Sequence, residues 1–207
     1  MNDLHEIIRT CLTAEAAAIS NIPVDNGFME ATDVFFSHVH EKSGKIVVCG
    51  MGKAGQIAEN IATTFCSTGS QAVFLHPSNA QHGDLGILSK NDALLLISNS
   101  GKTREILELV ELARNLYPQI PIVVITGNPE STLAKLADIV ISTGNPPEVC
   151  PLGLTPTTST TTMTVIGDIL VVLLMRSIKF TAADYSKLHH GGYLGDKSRK
   201  IATSPNM

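Results

Sequence analysis

Five short apolar runs, most of them rich in β-branched residues, recur between residues 45 and 143. They are KIVVC (45–49), AVFLH (72–76), ALLLIS (93–98), PIVVIT (121–126) and DIVIST (138–143). Stretches with helical periodicity separate several of these runs, and residues 53–67 and 103–116 are the clearest. Strands that alternate with helices indicate βαβ crossovers. The pattern therefore predicts an α/β fold whose parallel sheet is covered on both faces.

Two amphipathic helices are predicted ahead of the first strand. In residues 3–20 the apolar positions recur at helical spacing, and they are Leu4, Ile7, Ile8, Cys11, Leu12 and Ile19. Pro23 ends this helix, and a second apolar stripe follows between Phe28 and Val39. A minimal sheet does not need two such helices. They could cover a subunit interface or simply cap the sheet, and the pattern leaves both possibilities open.

The C-terminal part of the chain begins with a loop rich in proline and hydroxyl side chains, NPPEVCPLGLTPTTSTTT (145–162). Residues 163–178 are apolar on almost every side, which is typical of a helix buried in a core or between subunits. A short polar tail follows and is predicted to be mobile. We therefore expect a single domain over residues 1–207, with N-terminal helices (1–43), a core (45–195) and a tail (196–207).

The bulk composition excludes several classes of protein. The chain has 207 residues, is 43% hydrophobic and 16% charged, and carries a formal net charge of −4. A protein that binds nucleic acid or a membrane surface would need a basic face, and the absence of tryptophan disfavours base stacking. The longest apolar run, Ile169–Met175, is too short to span a membrane, and the N-terminus lacks the apolar segment of a signal peptide.

The cysteines also carry information about the environment of the protein. Four of them are scattered along the chain without a CxxC pair, which disfavours a disulfide or metal framework and fits a reducing cytoplasm. We therefore expect a soluble, cytoplasmic protein with no metal site and no nucleic-acid or membrane partner.

The stretch Leu94–Leu107, LLLISNSGKTREIL, has the pattern of a buried strand that opens onto a ligand. Its turn carries four polar side chains, Ser98, Asn99, Ser100 and Thr103, and Gly101 allows the backbone to turn tightly. The helix that begins near Thr103 directs unpaired N–H groups at whatever binds there. An ordinary helix cap needs fewer hydroxyl groups. The stretch therefore predicts a phosphate cradle, and the TPTTSTTT segment provides a second hydroxyl-rich helix entrance.

Residues 50–55, GMGKAG, fit the pattern G-x-G-x-x-G between the first strand and a helix. A dinucleotide site would also require an acidic residue at the end of the second strand, where this chain has Leu75-His76-Pro77-Ser78. The spacing does not match a P-loop either. The glycines are explained by a tight turn and close helix–strand packing, whereas Lys53 lies near the crevice where open α/β sheets bind ligands.

Four side chains could transfer protons, namely Glu105, Glu148, His189 and His82. Each has an ordinary structural explanation when it is taken alone. Glu105 could interact with a helix dipole, Glu148 could be a solvated loop carboxylate, His189 could lie on the surface, and His82 could make a structural hydrogen bond. These residues become informative only in combination.

The motifs occur in a specific order along most of the chain. They are GMGKAG, HGDLG (82–86), ISNSGKTREI (97–106), TGNPES (126–131), EVCPLGLTPTTSTT (148–161) and HHGGYLG (189–195). This order resembles the sugar isomerase (SIS) domain and, more narrowly, the arabinose-5-phosphate isomerases. The resemblance implies a five-stranded parallel sheet between helices in a three-layer sandwich. It also implies interconversion of ribulose 5-phosphate and arabinose 5-phosphate for Kdo synthesis, in a homotetramer with sites at subunit interfaces.

The resemblance assigns roles to individual residues. The catalytic set becomes Lys53, Glu105, Glu148 and His189. The substrate and phosphate ligands become Gly52, Ser98, Asn99, Ser100 and Thr103, with Thr157 and Ser159 as weaker candidates, and His82 becomes a residue near the site that can contact an inhibitory metal. We favour Glu148 as the base, with His189 assisting ring opening or proton transfer. No cofactor is expected.

Three departures from the family pattern stand out. Lys102 replaces a frequent glutamate, and its positive charge could favour an anion. The usual H-P-G-G is H-H-G-G here, which leaves His190 as an alternative to His189. The paired CBS domains that often follow are missing from this sequence, so feedback by a downstream, Kdo-type metabolite is expected to act at the isomerase domain itself.

Two other functions remain open at this point. One is a different SIS isomerase, such as a 3-hexulose-6-phosphate isomerase, and the other is a sugar-phosphate sensor that binds without turnover. The combination of Lys53, Glu105, Glu148 and His189 favours catalysis, because a sensor needs only the hydroxyl cradle.

Overall fold

A computed structural model describes residues 2–204, so that residues 205–207 of the predicted tail lie outside the described residues. Five strands form one sheet: β1 (Ile46–Gly50), β2 (Ala72–Phe74), β3 (Ala93–Ile97), β4 (Ile122–Thr126) and β5 (Ile139–Ser142). Their order is β2-β1-β3-β4-β5, and every pair is parallel. The predicted five-stranded parallel sheet is therefore confirmed.

Nine α-helices accompany the sheet in the described residues. They are α1 (Asn2–Ser20), α2 (Phe28–Phe35), α3 (Lys53–Ser67), α4 (Pro77–Ala80), α5 (Arg104–Leu116), α6 (Thr132–Leu136), α7 (Thr158–Ser177), α8 (Ala182–Leu188) and α9 (Gly192–Thr203). A π-helical turn (Phe36–Glu41) continues α2, and a 3₁₀ turn (Asp84–Ile87) follows α4.

The sheet separates two hydrophobic cores, which makes the three-layer sandwich. Alternate strand residues such as Val48 and Leu95 face α2, α3 and α7, whereas their neighbours Val47 and Leu94 face α5 and α6. Every residue of β1, β3 and β4 is buried, because both faces of these strands are covered. This coverage explains why the strands appear in the sequence as continuous apolar runs rather than as alternating patterns.

The strand order determines where a ligand can bind. From β1 the chain crosses to β2 on one side and later returns to β3 on the other side, so the direction of winding reverses between β1 and β3. In open α/β sheets, the crevice at such a reversal lies beyond the carboxyl ends of the strands. The turns after β1 and β3 carry Lys53 and the Ser98–Thr103 segment, and both therefore border this crevice.

Helix α7 begins at Thr158, five residues before the predicted start, and it is the one helix in the described part of the chain that is long and apolar enough to cross a membrane. Half of the apolar stretch is buried. Its buried side packs against α3, α1 and α2, and a core helix of this kind meets the same length and hydropathy criteria. The packing thus accounts for the apolar character of α7.

The C-terminal residues differ from the prediction of a mobile tail, since residues 196–203 belong to α9. This helix is ordered by its packing against α8: Ser198 is buried, and a Cβ at Gly195 would contact the backbone of His189. At the other end of the chain, α1 packs on α7 but leaves Leu4, Ile7, Ile8 and Leu12 between 52% and 66% exposed. The predicted apolar stripe of α1 therefore faces away from the protein's own core.

Candidate active site

The glycine-rich turn after β1 places Lys53 at the first position of α3. Gly52 has φ +58° and ψ −125°, a conformation that side chains with a Cβ rarely adopt. A Cβ at Gly50 would lie 2.5 Å from the Ala54 carbonyl oxygen, so the strand and the helix approach closely. Lys53 is exposed, and its Nζ donates to Gln56 Oε1 at 3.3 Å. The glycines thus serve turn geometry and packing, as expected, and they bring the lysine to the crevice.

The turn after β3 is held by its own hydroxyl groups. Ser98 is only 3% exposed, its Oγ accepts a hydrogen bond from the Gly101 N–H at 3.2 Å, and it pairs with Thr103 Oγ1 at 2.9 Å. The Lys102 N–H donates to Ser100 Oγ at 3.2 Å, and Ser100 is exposed. Ser98 therefore organises the turn, whereas Ser100 presents its hydroxyl group to the crevice.

Gly101 is braced from behind by the start of α6. Its φ of +60° is unfavourable for other residues, and a Cβ there would collide with the Ser131 hydroxyl group. The Gly101 carbonyl oxygen accepts from the Leu133 N–H at 3.1 Å, and Ser131 caps α6 by accepting from the Ala134 N–H. The helix therefore starts at Thr132, with Ser131 as its N-cap.

The N-terminus of α5 faces the crevice without a side-chain cap. Thr103 occupies the cap position, but among the described residues its hydroxyl group bonds Ser98 rather than a backbone N–H of the helix. The first N–H groups of a helix have no partner within the helix and carry partial positive charge. An uncapped helix N-terminus beside a hydroxyl-rich turn is a favourable site for an anion such as phosphate.

Glu148, in contrast, caps the N-terminus of α7. Its Oε2 accepts from the Thr157 N–H at 2.7 Å, from Thr157 Oγ1 at 2.9 Å and from the Ser159 N–H at 3.2 Å. Partial burial raises the pKa of the Glu148 carboxyl group, but the hydrogen bonds from Ser159 and Thr157 together outweigh it and hold the pKa below its ordinary value of 4.5. Glu148 is therefore ionised at neutral pH. No described residue donates to its Oε1.

These elements enclose one large cavity of about 1040 Å³. Seven of the predicted site residues line it: Lys53, Ser98, Asn99, Ser100, Thr103, Glu148 and Ser159. Lys102 lines it as well, so two lysines face one glutamate there although the chain as a whole is acidic. Hydroxyl groups, an uncapped helix end and an excess of positive charge suit a small phosphorylated ligand.

Five predicted site residues do not line this cavity. Gly52 precedes the lining residue Lys53, and Thr157 bonds the lining residue Glu148. Glu105 lies in the first turn of α5. His82 is exposed in the turn after α4. His189 ends α8, where its ring stacks on Tyr185 at 3.8 Å between centroids and its Nδ1 lies 3.1 Å from the Tyr185 carbonyl oxygen.

The distance of His189 follows from helix geometry. Helix α7 starts at the cavity and runs for 20 residues, which corresponds to about 30 Å. The chain continues from its far end into α8, so His189 and its neighbour His190 lie away from the cavity of their own chain.

The cavity also contains two asparagines that the sequence did not single out. Asn128 follows β4, and Asn145 follows β5 with a φ of +50°. Both lie at the carboxyl ends of strands, which is the signal that would have identified them. Within residues 2–204, no three histidine, cysteine, aspartate or glutamate side chains come together as a metal site.

The segment that carries these motifs matches a known protein family. A family model for the SIS domain matches residues 40–173, about two thirds of the chain. The chain belongs to the SIS domain family. The SIS domain includes the whole sheet and the first 16 of the 20 residues of α7, so it contains every cavity-lining residue named above.

Curated proteins with a similar sequence are longer than this chain. The chain is 47% identical over 155 residues to arabinose 5-phosphate isomerase KdsD of Salmonella typhi, an alignment that covers 75% of this chain and 47% of that protein. The chain thus spans about half the length of the curated relatives it matches.

Two solved structures are similar over nearly their full length. One is a candidate phosphosugar isomerase involved in capsule formation from Bacteroides fragilis, with 63% identity and a TM-score of 0.90, covering 92% of this chain and 99% of that one. The other is an E. coli CFT073 protein in complex with arabinose 5-phosphate, with 34% identity and a TM-score of 0.82, covering 90% and 97%.

Proposed function

We propose that this SIS domain interconverts D-ribulose 5-phosphate and D-arabinose 5-phosphate through an enediolate and thereby supplies Kdo synthesis for lipopolysaccharide or capsule. The observation that carries the proposal is the cavity itself, in which Lys53 and the ionised Glu148 share one space with the hydroxyl-rich turn before α5. Similarity to arabinose 5-phosphate isomerases and to a protein that binds arabinose 5-phosphate supports the same substrate class.

The chemistry requires a proton to move between two neighbouring carbons. Glu148 acts as the base, because it lines the cavity and its Oε1 accepts no hydrogen bond from the described residues, while Oε2 is held by α7. Lys53 stabilises the negative charge that develops on the enediolate oxygen. A positioned carboxylate of this kind contributes about 10²–10⁴-fold to the rate. The reaction needs no redox cofactor.

The phosphate group orients the sugar for this transfer. Ser100, Thr103 and the uncapped end of α5 hold it, Ser98 keeps the turn in place, and Lys102 adds a positive charge. The phosphate does not react, so its binding energy serves to position the reacting carbons. Asn99 and Asn145 also line the cavity, where their amide groups can bond sugar hydroxyl groups.

A homotetramer completes the site. The exposed apolar stripe of α1 needs a partner surface, since a contiguous exposed apolar patch marks an interaction site. His189 does not line the cavity of its own chain, because it lies beyond the far end of α7, a helix about 30 Å long. In an assembly, His189 or His190 of one copy enters the site of another and assists ring opening, and Glu105 and His82 approach a neighbouring site.

Two further parts of the proposal concern the location of the enzyme and its inhibition. We place the enzyme in the cytoplasm, where its sugar-phosphate substrates are made. The cavity is larger than a pentose phosphate requires, which leaves space for a downstream Kdo-type compound to bind and inhibit. Competition between such a compound and ribulose 5-phosphate would show as a raised KM with an unchanged kcat.

The decisive experiment incubates the purified protein with ribulose 5-phosphate in D₂O and follows the sugar by NMR. We expect arabinose 5-phosphate that carries solvent deuterium at C2, because the enediolate is reprotonated there. Absence of arabinose 5-phosphate at high enzyme concentration would refute the proposal. Turnover of a 3-hexulose 6-phosphate instead would establish the other isomerase activity, and binding of arabinose 5-phosphate without turnover would indicate a sensor.

A further inference from the structure

A second carboxylate reaches the N-terminus of α7 from outside the cavity. Glu15, on the inner side of α1, accepts a hydrogen bond at its Oε1 from Thr158 Oγ1 at 3.2 Å. Its Oε2 is buried and has no hydrogen-bond partner within the described chain. A buried carboxylate oxygen without a hydrogen-bond partner is costly to maintain, so this half-buried glutamate calls for an explanation beyond ordinary helix packing.

The explanation lies in the backbone N–H of Val149, the residue that follows Glu148. This single N–H donates to two hydroxyl groups, Thr157 Oγ1 and Thr158 Oγ1, each at 3.2 Å. A hydroxyl group has one hydrogen and two lone pairs. Thr157 gives its hydrogen to Glu148, and Thr158 gives its hydrogen to Glu15. Both hydroxyl groups are thereby oriented so that their lone pairs accept from Val149.

We propose that Glu15 is a positioning residue that fixes Glu148 through the Thr158 hydroxyl group and the Val149 amide. Its catalytic consequence rests on the function proposed above. Glu148 sits in a loop after two prolines, with no helix or strand to hold it. The two carboxylates orient two adjacent hydroxyl groups, and these hold the backbone next to the base. Glu15 itself comes from α1, which lies outside the matched SIS domain segment.

Two pairs of variants test this relay, by which we mean the connection from Glu15 through Thr158 and Val149 to Glu148. Glu15→Ala removes the acceptor of the Thr158 hydroxyl hydrogen, and Thr158→Val removes that hydroxyl group. Each change weakens the hydrogen bond that holds the Val149 N–H and therefore makes the loop around Glu148 more mobile. We expect either to lower kcat by about 10- to 100-fold with little change in KM, because a small displacement of a catalytic group costs rate while the phosphate site is untouched. Glu15→Gln and Thr158→Ser each keep the required oxygen and should restore most of the rate.

The double variant Glu15→Ala/Thr158→Val should be no worse than the more affected single variant, because both changes break the same connection. Glu6→Ala changes an exposed glutamate on the same helix and should match the wild type. Fully additive losses in the double variant, or a Glu15→Gln enzyme as slow as Glu15→Ala, would overturn the proposal.

A readout that does not depend on turnover is hydrogen exchange at the Val149 amide, measured by NMR. We expect faster exchange in Glu15→Ala and Thr158→Val, and near wild-type exchange in Glu15→Gln, at temperatures where each variant is folded. If the wild type fails to turn over any sugar phosphate, the proposed function fails, and the Val149 exchange rate alone decides the relay. Unchanged exchange in both disruptive variants would refute it.

Discussion

Replacing Glu148 by glutamine separates its capping of α7 from its proposed role as the base. Glutamine keeps the size of the side chain and one oxygen that can accept from the Thr157 and Ser159 N–H groups. It loses the negative charge at the N-terminus of α7 and the ability to accept a proton. The first loss affects stability, and the second affects the reaction.

The expected loss of stability is small. A charge at a partly exposed helix N-terminus stabilises a protein by about 0.3–1 kcal/mol and by up to ~2 kcal/mol in a partly buried geometry. We therefore expect Glu148→Gln to lower the free energy of unfolding by about 1 kcal/mol, which shifts Tm by about 2–4 °C in a domain of this size. Folded domains have about 5–15 kcal/mol in reserve, so the variant stays folded at 25 °C.

The expected loss of rate is much larger. Removal of a general base costs about 10²–10⁴-fold in kcat, which corresponds to about 2.7–5.4 kcal/mol. KM should change little, since the phosphate is held by the turn before α5. The assay is the NMR time course with ribulose 5-phosphate, alongside a thermal melt. Glu59→Gln, an exposed change on α3, serves as the matched control. A folded Glu148→Gln protein with wild-type kcat would refute the assignment of the base.

The pH dependence of the unfolding free energy, compared between the wild type and Glu148→Gln, provides a second check. The folded-state pKa of Glu148 lies below its ordinary value of 4.5, so its ionised form stabilises the fold above that value. This contribution is lost as the pH falls through the folded-state pKa. The difference in unfolding free energy between wild type and Glu148→Gln should therefore be full at pH 7 and disappear in that acidic range. The acid limb of kcat/KM for the wild type should also lie below pH 4.5.

Three other variants test the turn before α5 and the amino end of the sheet. Ser100→Ala removes an exposed hydroxyl group and should raise KM about tenfold with unchanged Tm, as measured by steady-state kinetics. Gly101→Ala forces a Cβ against the Ser131 hydroxyl group at a φ of +60°, and it should lower stability by about 1–3 kcal/mol and weaken binding. The Asp92 carboxylate accepts from the Lys45 side chain and from two backbone N–H groups at 2.7–3.0 Å. Asp92→Asn keeps only one acceptor oxygen for these three donors. Denaturant unfolding should show a loss of about 3 kcal/mol in the free energy of unfolding, with unchanged kcat.

The sheet was predictable because its strands are buried on both faces. Each of the five predicted runs overlaps an observed strand, and their ends differ by two residues at most. An apolar run that is bounded by turn residues is a local signal, and tertiary packing does not alter it here. Lys53 and the Ser98–Thr103 segment were predictable for a related reason, because the ends of parallel strands converge on one edge.

The surroundings of Glu148 were not predictable in the same way. The residue lies in a loop without periodicity, and its partner Thr157 is nine residues further on. The link from Glu15 to Thr158 joins residues 143 positions apart. Such contacts depend on how α1 and α7 pack, and hydrophobic periodicity specifies only which face is buried and not which polar groups meet. The C-terminal helix α9 escaped prediction because its buried residues are glycine and serine rather than large apolar side chains.

The two helix N-termini at the cavity differ in a way that assigns them different tasks. Both α5 and α7 follow hydroxyl-rich segments, and the sequence predicted phosphate ligands at each. At α7, however, the Thr157 and Ser159 N–H groups already donate to Glu148, so a phosphate there would have to displace a carboxylate and would face its charge. At α5 the cap position is free of such a competitor in the described chain, and Lys102 stands beside it. We infer that phosphate binds at α5 and that α7 holds the base, which places the reacting carbons of the sugar between the two helix ends.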